Sequence, residues 1–135
     1  MDIEVLNATN PREIDAAFAY LAEKRAEALV VNAEPLFANR RIQLATLAAR
    51  HALPTIYPIR VFAEVGGLMS YGHSDPERNR LVGVYVGRIL KGEKPSDMPV
   101  QQPTTFELVI NFLTARALGI AVPPMLLARA DEVIE

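Results

Sequence analysis

Apolar positions in this chain fall into short runs and i, i+3, i+4 stripes that alternate as far as Gly92. Residues 3–6 form a compact apolar run closed by Asn7, which reads as a first strand. Asn10-Pro11-Arg12-Glu13 then opens a helix. Asn10 stands at the N-cap, Pro11 sits where no amide bond is lost, and Glu13 can reach back as in a capping box. Ile14, Ala17, Phe18 and Leu21 follow at the spacing of one buried stripe. Residues 28–31 are a short continuous apolar run, the pattern of a strand covered on both faces. Phe37, Leu44 and Ala48 give a second helix its spacing, and residues 54–57 and 68–71 read as the third and fourth strands. The fourth ends at Gly72, after which Asp75 and Pro76 supply an N-cap and a first-turn residue. Gly83 and Gly87 lie one turn apart on that helix, each costing about 1 kcal/mol relative to Ala. Two such costs on one face predict close packing of the helix backbone against a sheet. Lys91-Gly92, a cationic last turn and a C′ glycine, ends it.

Strands separated by helices of this length predict right-handed βαβ units and a Rossmann-like parallel sheet flanked by helices. Beyond Gly92 the pattern changes. Pro95, Pro99 and Pro103 punctuate a stretch that cannot be helical. Residues 106–110 are β-prone, 114–118 read as a short helix, and Pro123-Pro124 start another helical turn. This divides the chain into an α/β lobe over 1–99 and a C-terminal crossover strand and helix segment over 100–135. The second segment packs on the lobe or on a partner chain.

Composition narrows the chemistry. At 135 residues the chain is one domain with enough length for a core, and half of its residues are hydrophobic. The formal net charge is −2 with acids and bases interspersed, and Lys24-Arg25 and Arg40-Arg41 are the only adjacent basic pairs, so a nucleic-acid surface is not expected. Without cysteine there is neither a disulfide framework nor thiolate chemistry. His51 and His73 are far apart and no ligand spacing predicts a metal or other cofactor. Nucleophile-elbow, P-loop and dinucleotide fingerprints are absent, as are the clustered acids and late Lys of a phospho-receiver, so no enzyme is expected. The start Met1-Asp2-Ile3-Glu4 is acidic and lacks an apolar run of export length. As a native start it predicts a cytoplasmic protein.

Ligands of open parallel sheets bind outside the carboxyl ends of the strands. Three loops are placed there. The first runs from Asn32 through Glu34 to Phe37, the second from Tyr57 to Arg60, and the third from Ser70 and Tyr71 to His73. In this set Glu34 meets an ammonium group, Arg60 holds a carboxylate, and Tyr57, Phe37 and Phe62 enclose an apolar or aromatic side chain. Each has a plainer reading. Glu34 is also a solvated loop acid, Arg60 a partner for Glu64 one turn on, Tyr57 a core-edge ring and His73 an exposed loop residue.

The SYG of residues 70–72, the run GVYVGRILKGEKPSDMPVQQPTTFELVIN from Gly83, TARALGIAVPP from Thr114 and the closing LLARADEVIE together resemble the C-terminal half of bacterial ABC-transporter substrate-binding proteins. The tryptophan/tyrosine-type subgroup is the one it is similar to, and the resemblance runs over nearly the whole chain. Relatives commonly carry an Asp where Glu77 stands and an aromatic where Asn79 stands, while Arg80 is retained. The resemblance implies a type I periplasmic-binding-protein fold, whose two α/β lobes close on a small ligand, with one lobe present here. It also implies an amino-acid-like ligand, an ABC-transporter permease as partner and a periplasmic location. The alternative is a non-binding interaction module. A lone lobe exposes the surface meant for its mate, and the 106–110 strand then pairs two copies into a homodimer.

Overall fold

The computed structural model describes residues 2–101 and 104–135. Met1, Gln102 and Pro103 lie outside the described residues, and with them the expectations placed on the first residue and on the third proline. The elements run α1 (Pro11–Glu23), β1 (Leu29–Val30), α2 (Pro35–Asn39), α3 (Arg41–Arg50), β2 (Thr55–Tyr57), α4 (Val61–Glu64), β3 (Met69–His73) and α5 (Asp75–Leu90). A 3-10 turn (Pro95–Asp97) precedes β4 (Phe106–Asn111), α6 (Phe112–Ala117), α7 (Pro124–Leu127) and β5 (Glu132–Ile134).

The five strands form one sheet in the order β1-β2-β3-β4-β5. The first three are parallel, β4 is antiparallel to β3, and β5 is parallel to β4, so the sheet is mixed. Helices flank it, and the α/β architecture is the one the alternation predicts. β4 is paired along both edges, to β3 and to β5. That closes the edge through which the 106–110 strands of two copies were expected to pair.

Local chemistry explains most of the elements. The Asn10 side chain accepts the Glu13 amide at 3.1 Å and donates to the Glu13 carboxylate at 2.7 Å, while the Thr9 amide donates to the same carboxylate at 2.7 Å. The predicted second helix breaks at Arg40, whose φ of −105° and ψ of 20° separate α2 from α3. Ser74 rather than Asp75 takes the N-cap of α5, and Gly92, at φ +100°, ends it as expected. Residues 3–6 do not form a strand. Ile3 and Val5 are each 79% exposed, because a strand needs a partner and β1 pairs only with β2.

Because side chains alternate across a strand, the registers sort the residues onto two faces. Thr55, Tyr57, Ser70 and Val109 share one face, and all four are buried. Over it lie α1, α3 and α4, and Ile14, Phe18, Leu44, Ala48, Leu53, Tyr57 and Phe62 form the hydrophobic core. Val30, Ile56, Met69, Tyr71, Leu108 and Phe106 share the other face. α7 approaches it through Leu126, but Val30, Tyr71 and Phe106 stay exposed. The crossovers from β1 to β3 run one way along the sheet, so right-handedness places their helices on one side.

Candidate ligand edge

Because β1, β2 and β3 are parallel neighbours, the loops that follow them leave one edge of the sheet. The second loop is pressed onto the third strand. A Cβ built at Gly72 would stand 1.8 Å from the Pro58 carbonyl oxygen, a contact only glycine allows. A Cβ at Gly67 would meet both the Phe62 carbonyl and the Tyr57 ring at 2.7 Å, which seats α4 under the same edge.

The first loop carries Asn32 and Glu34, both exposed, with the Glu34 amide donating to the Asn32 carbonyl at 3.1 Å. Glu34 is also the N-cap of α2, with no side-chain capping bond. Phe37, on α2, is half-buried and packs against the core. In the second loop, Arg60 gathers three carboxylates. Its Nε donates to Glu64 at 2.8 Å, one terminal nitrogen to Glu107 at 2.9 Å and the other to Glu132 at 2.9 Å. The Glu64 hydrogen bond is the main cause of a raised guanidinium pKa, with desolvation opposing it and Glu132 and Glu107 reinforcing it. Arg60 therefore ties α4, β4 and β5 together at the edge, and the four side chains carry a net charge of −2.

Tyr57 and Ser70 are each only 1% exposed, side by side under the covered face. The Tyr57 ring stacks on Phe62 at 4.6 Å between centroids. That burial corrects the expectation for both: they underlie the edge rather than line it. Neither hydroxyl has a hydrogen-bond partner among the described residues. Desolvation pushes the Tyr57 phenol up to about 12, and the neighbouring Thr55 hydroxyl, which tempers the shift, donates to the Leu53 carbonyl instead. Tyr71 and His73 point to the other face, where Tyr71 stacks on Phe106 at 5.4 Å between centroids and His73 is tilted against the same ring at 4.4 Å. Glu107 faces Gly72 and Phe106 faces His73 across β3–β4.

The eight predicted residues thus divide into three groups. Asn32, Glu34 and Arg60 stand at the edge, beside Phe37. Tyr57 and Ser70 lie beneath it, and Tyr71 and His73 turn onto the open face. Glu107, Glu132 and Phe106 escaped sequence reasoning because they belong to strands that join the edge only through the antiparallel pairing of β4. Asn111 escaped it too. It is buried, donates to the Ala63 carbonyl at 2.9 Å and accepts the Thr114 amide at 2.9 Å, joining α4 to the start of α6. Among the described residues no group of acids and histidines could hold a metal ion, and no helix is long and apolar enough to cross a membrane.

A sheet lobe with loops gathered at the carboxyl ends of parallel strands can hold a small ligand at that edge. The comparisons make this specific: residues 1–134 match the family described as ABC transporter substrate binding protein, and the chain belongs to it. Among solved structures, it is similar to an ABC domain from Streptococcus pneumonia in complex with L-Trp. That likeness has 27% identity and a TM-score of 0.87, and covers 97% of this chain and 45% of the other. It is also similar to a conserved domain protein from Vibrio cholerae, with 26% identity and a TM-score of 0.84 over 93% of this chain and 42% of the other. A ligand-free, open substrate binding protein with adhesive properties from Clostridium difficile shares the fold at 23% identity and a TM-score of 0.64. It is covered over 42% of its length by 95% of this chain. No curated protein matches. The chain spans less than half the length of these three solved structures.

Proposed function

We propose that this chain is a ligand-binding lobe of an ABC-type uptake receptor, and that its ligand is a small amino acid-like molecule held at the carboxyl edge of β1–β3. The observation that carries the reading is the match to the receptor family over 1–134, joined to a 27%-identical neighbour solved with L-Trp. The edge suits the ammonium end of an amino acid, while Arg60, engaged by three carboxylates, is not open to the ligand carboxylate it was expected to hold. Glu34 and the surplus negative charge around Arg60 attract an ammonium group, Asn32 offers amide donors and an acceptor, and Phe37 offers an apolar wall. Tyr57 and Ser70 hold the edge from beneath. Binding needs no chemistry on the ligand, and the family resemblance supports a location outside the cytoplasm and delivery of solute to a permease.

A lobe that covers one side of its ligand buries less of it than a closed pocket does, so the expected affinity is weak. Titration calorimetry with L-Trp, L-Tyr, L-Phe and branched amino acids tests this. Saturable heat with at least one of them at millimolar concentration supports the reading, and none with any removes it for this chain.

A second reading, self-association, is favoured by surface area. A compact monomer of this mass exposes about 7,000 Å² by the usual scaling, whereas this chain of 14.9 kDa exposes 9307 Å². The excess is larger than the roughly 800 Å² that one partner buries in an ordinary specific interface.

A further inference from the structure

The molecule holds two surfaces that complement each other without meeting. One is α5. No side chain described along it is buried, and it makes only marginal contact with any other helix or strand. Its Leu81, Tyr85 and Ile89 side faces the returning 95–101 segment, where the Tyr85 hydroxyl donates to the Pro99 carbonyl and Arg88 Nε donates to Glu93 at 2.6 Å. The side bearing Gly83, Val84 and Gly87 faces nothing. A Cβ at either glycine would find no atom within 4 Å, and Val84 is 44% exposed. The sequence predicts a sheet against those glycines, and the structure places none there. The other surface is the open face of the sheet, where Tyr71 and Phe106 are 54% and 46% exposed beside Leu108 and only the short α7 approaches, through Leu126.

We propose that two copies of this chain complete each other by exchanging arms, the glycine side of α5 from one copy lying on the open sheet face of the other. This rests on the self-association reading above and specifies how it is built. A helix that lacks a sheet and a sheet face left largely open beside α7 occur once each per chain, so a two-fold exchange satisfies both twice. The area agrees, because the excess exposed by each chain matches what a large, permanent interface removes. Charge agrees as well. Residues 75–94 carry five basic and three acidic side chains, and the remainder of the chain nine basic and thirteen acidic, so a positive arm meets a negative body. The two glycines let the helix backbone approach the Tyr71 and Phe106 rings closely.

The absence of native cysteine makes the contact directly readable. Val84→Cys and Leu108→Cys single variants are mixed and mildly oxidised, with Tyr71→Cys as a second reporter on the sheet face. Light scattering on the unaltered chain at micromolar concentration measures its mass. The expected results are a mass of twice 14.9 kDa and a disulfide-linked dimer in the mixtures that neither single variant gives alone, since a bridge requires Cα atoms within about 7 Å. A dimer mass without linkage from either mixture overturns the arm exchange and leaves self-association standing. A monomer mass overturns both. A Val84→Cys/Leu108→Cys double variant that closes its disulfide within one chain overturns the exchange as well.

Discussion

The Pro58 carbonyl oxygen lies 1.8 Å from where a side chain at position 72 would begin, so Gly72 is the residue that lets the β2–α4 loop rest on β3. That contact brings Arg60 and His73 to one edge. Gly72→Ala forces the loop away or bends the strand, at an expected cost of about 3 kcal/mol or more, the upper range for overpacking. Denaturant titration measures it. A loss below half of that amount would show that the loop yields easily and does not organise the edge.

Arg60 is the tie across that edge. Its ion pairs with Glu64, Glu107 and Glu132 are partly exposed, so each contributes about 0–1 kcal/mol. Arg60→Ala removes all three and leaves the carboxylates facing one another, with an expected loss of about 1–2 kcal/mol. Because both the attraction and the repulsion left behind are screened, the gap between variant and parent narrows in high salt. A gap indifferent to salt would mean that Arg60 acts through packing alone.

Asn111 has both ends of its amide engaged in a buried setting. Asn111→Ala leaves the Ala63 carbonyl and the Thr114 amide without partners and is expected to cost about 2–3 kcal/mol. Asn111→Asp keeps the cap acceptor but turns a carboxylate oxygen toward the Ala63 carbonyl, and is expected to cost more. Thermal unfolding of the pair measures the order, and the reverse order would show that the cap matters more than the bond to α4.

Tyr57 sets a limit at high pH. Its folded pKa of about 12 lies above the ordinary value of 10.0 because burial penalises the phenolate. Below pH 10 both states keep the proton and stability is unaffected. As pH rises from 10 toward 12 the unfolded chain ionises first, and about 2–3 kcal/mol is lost. Tyr57→Phe removes a buried hydroxyl that has no partner, so it is expected to leave neutral-pH stability unchanged or raise it by about 1 kcal/mol. It should also flatten the alkaline decline, measured by denaturant midpoint against pH. A decline equal in both proteins would assign the alkaline loss to other groups.

Arg25 and Ala52 follow the ends of α1 and α3 with φ of 54° and 50°, the left-handed region that favours glycine. Arg25→Gly and Ala52→Gly relieve that strain and are each expected to raise stability by about 0.5–1 kcal/mol. Calorimetric Tm shifts test them, and a fall in either would mean that the lost side chain packs more than its exposed position suggests.

Much of the fold was legible along the chain, since local signals act over a few residues. Asn10 caps α1 through Glu13, Gly92 ends α5, and the apolar runs at 54–57 and 68–71 became β2 and β3. Residues 3–6 show the limit of such signals: the run has strand composition, but a strand exists only where another pairs with it. The site was legible to the level of its edge. Counting strand ends located the loops of Asn32, Arg60 and His73, whereas the facing of each side chain followed from register and helix cover, which put Tyr57 and Ser70 beneath.

Sequence alone determined the cap of α1 and the glycine stop of α5, the alternation of strand and helix, the lack of thiol chemistry and the family to which the chain belongs. Tertiary structure decided that β4 enters the sheet antiparallel and brings Glu107 and Phe106 to Arg60 and His73. It decided too that α5 stands off with its glycines uncovered. The physical reason is range: capping and periodicity are written within one or two turns, while pairing and burial depend on residues tens of positions away, such as Glu107 and Glu132 around Arg60.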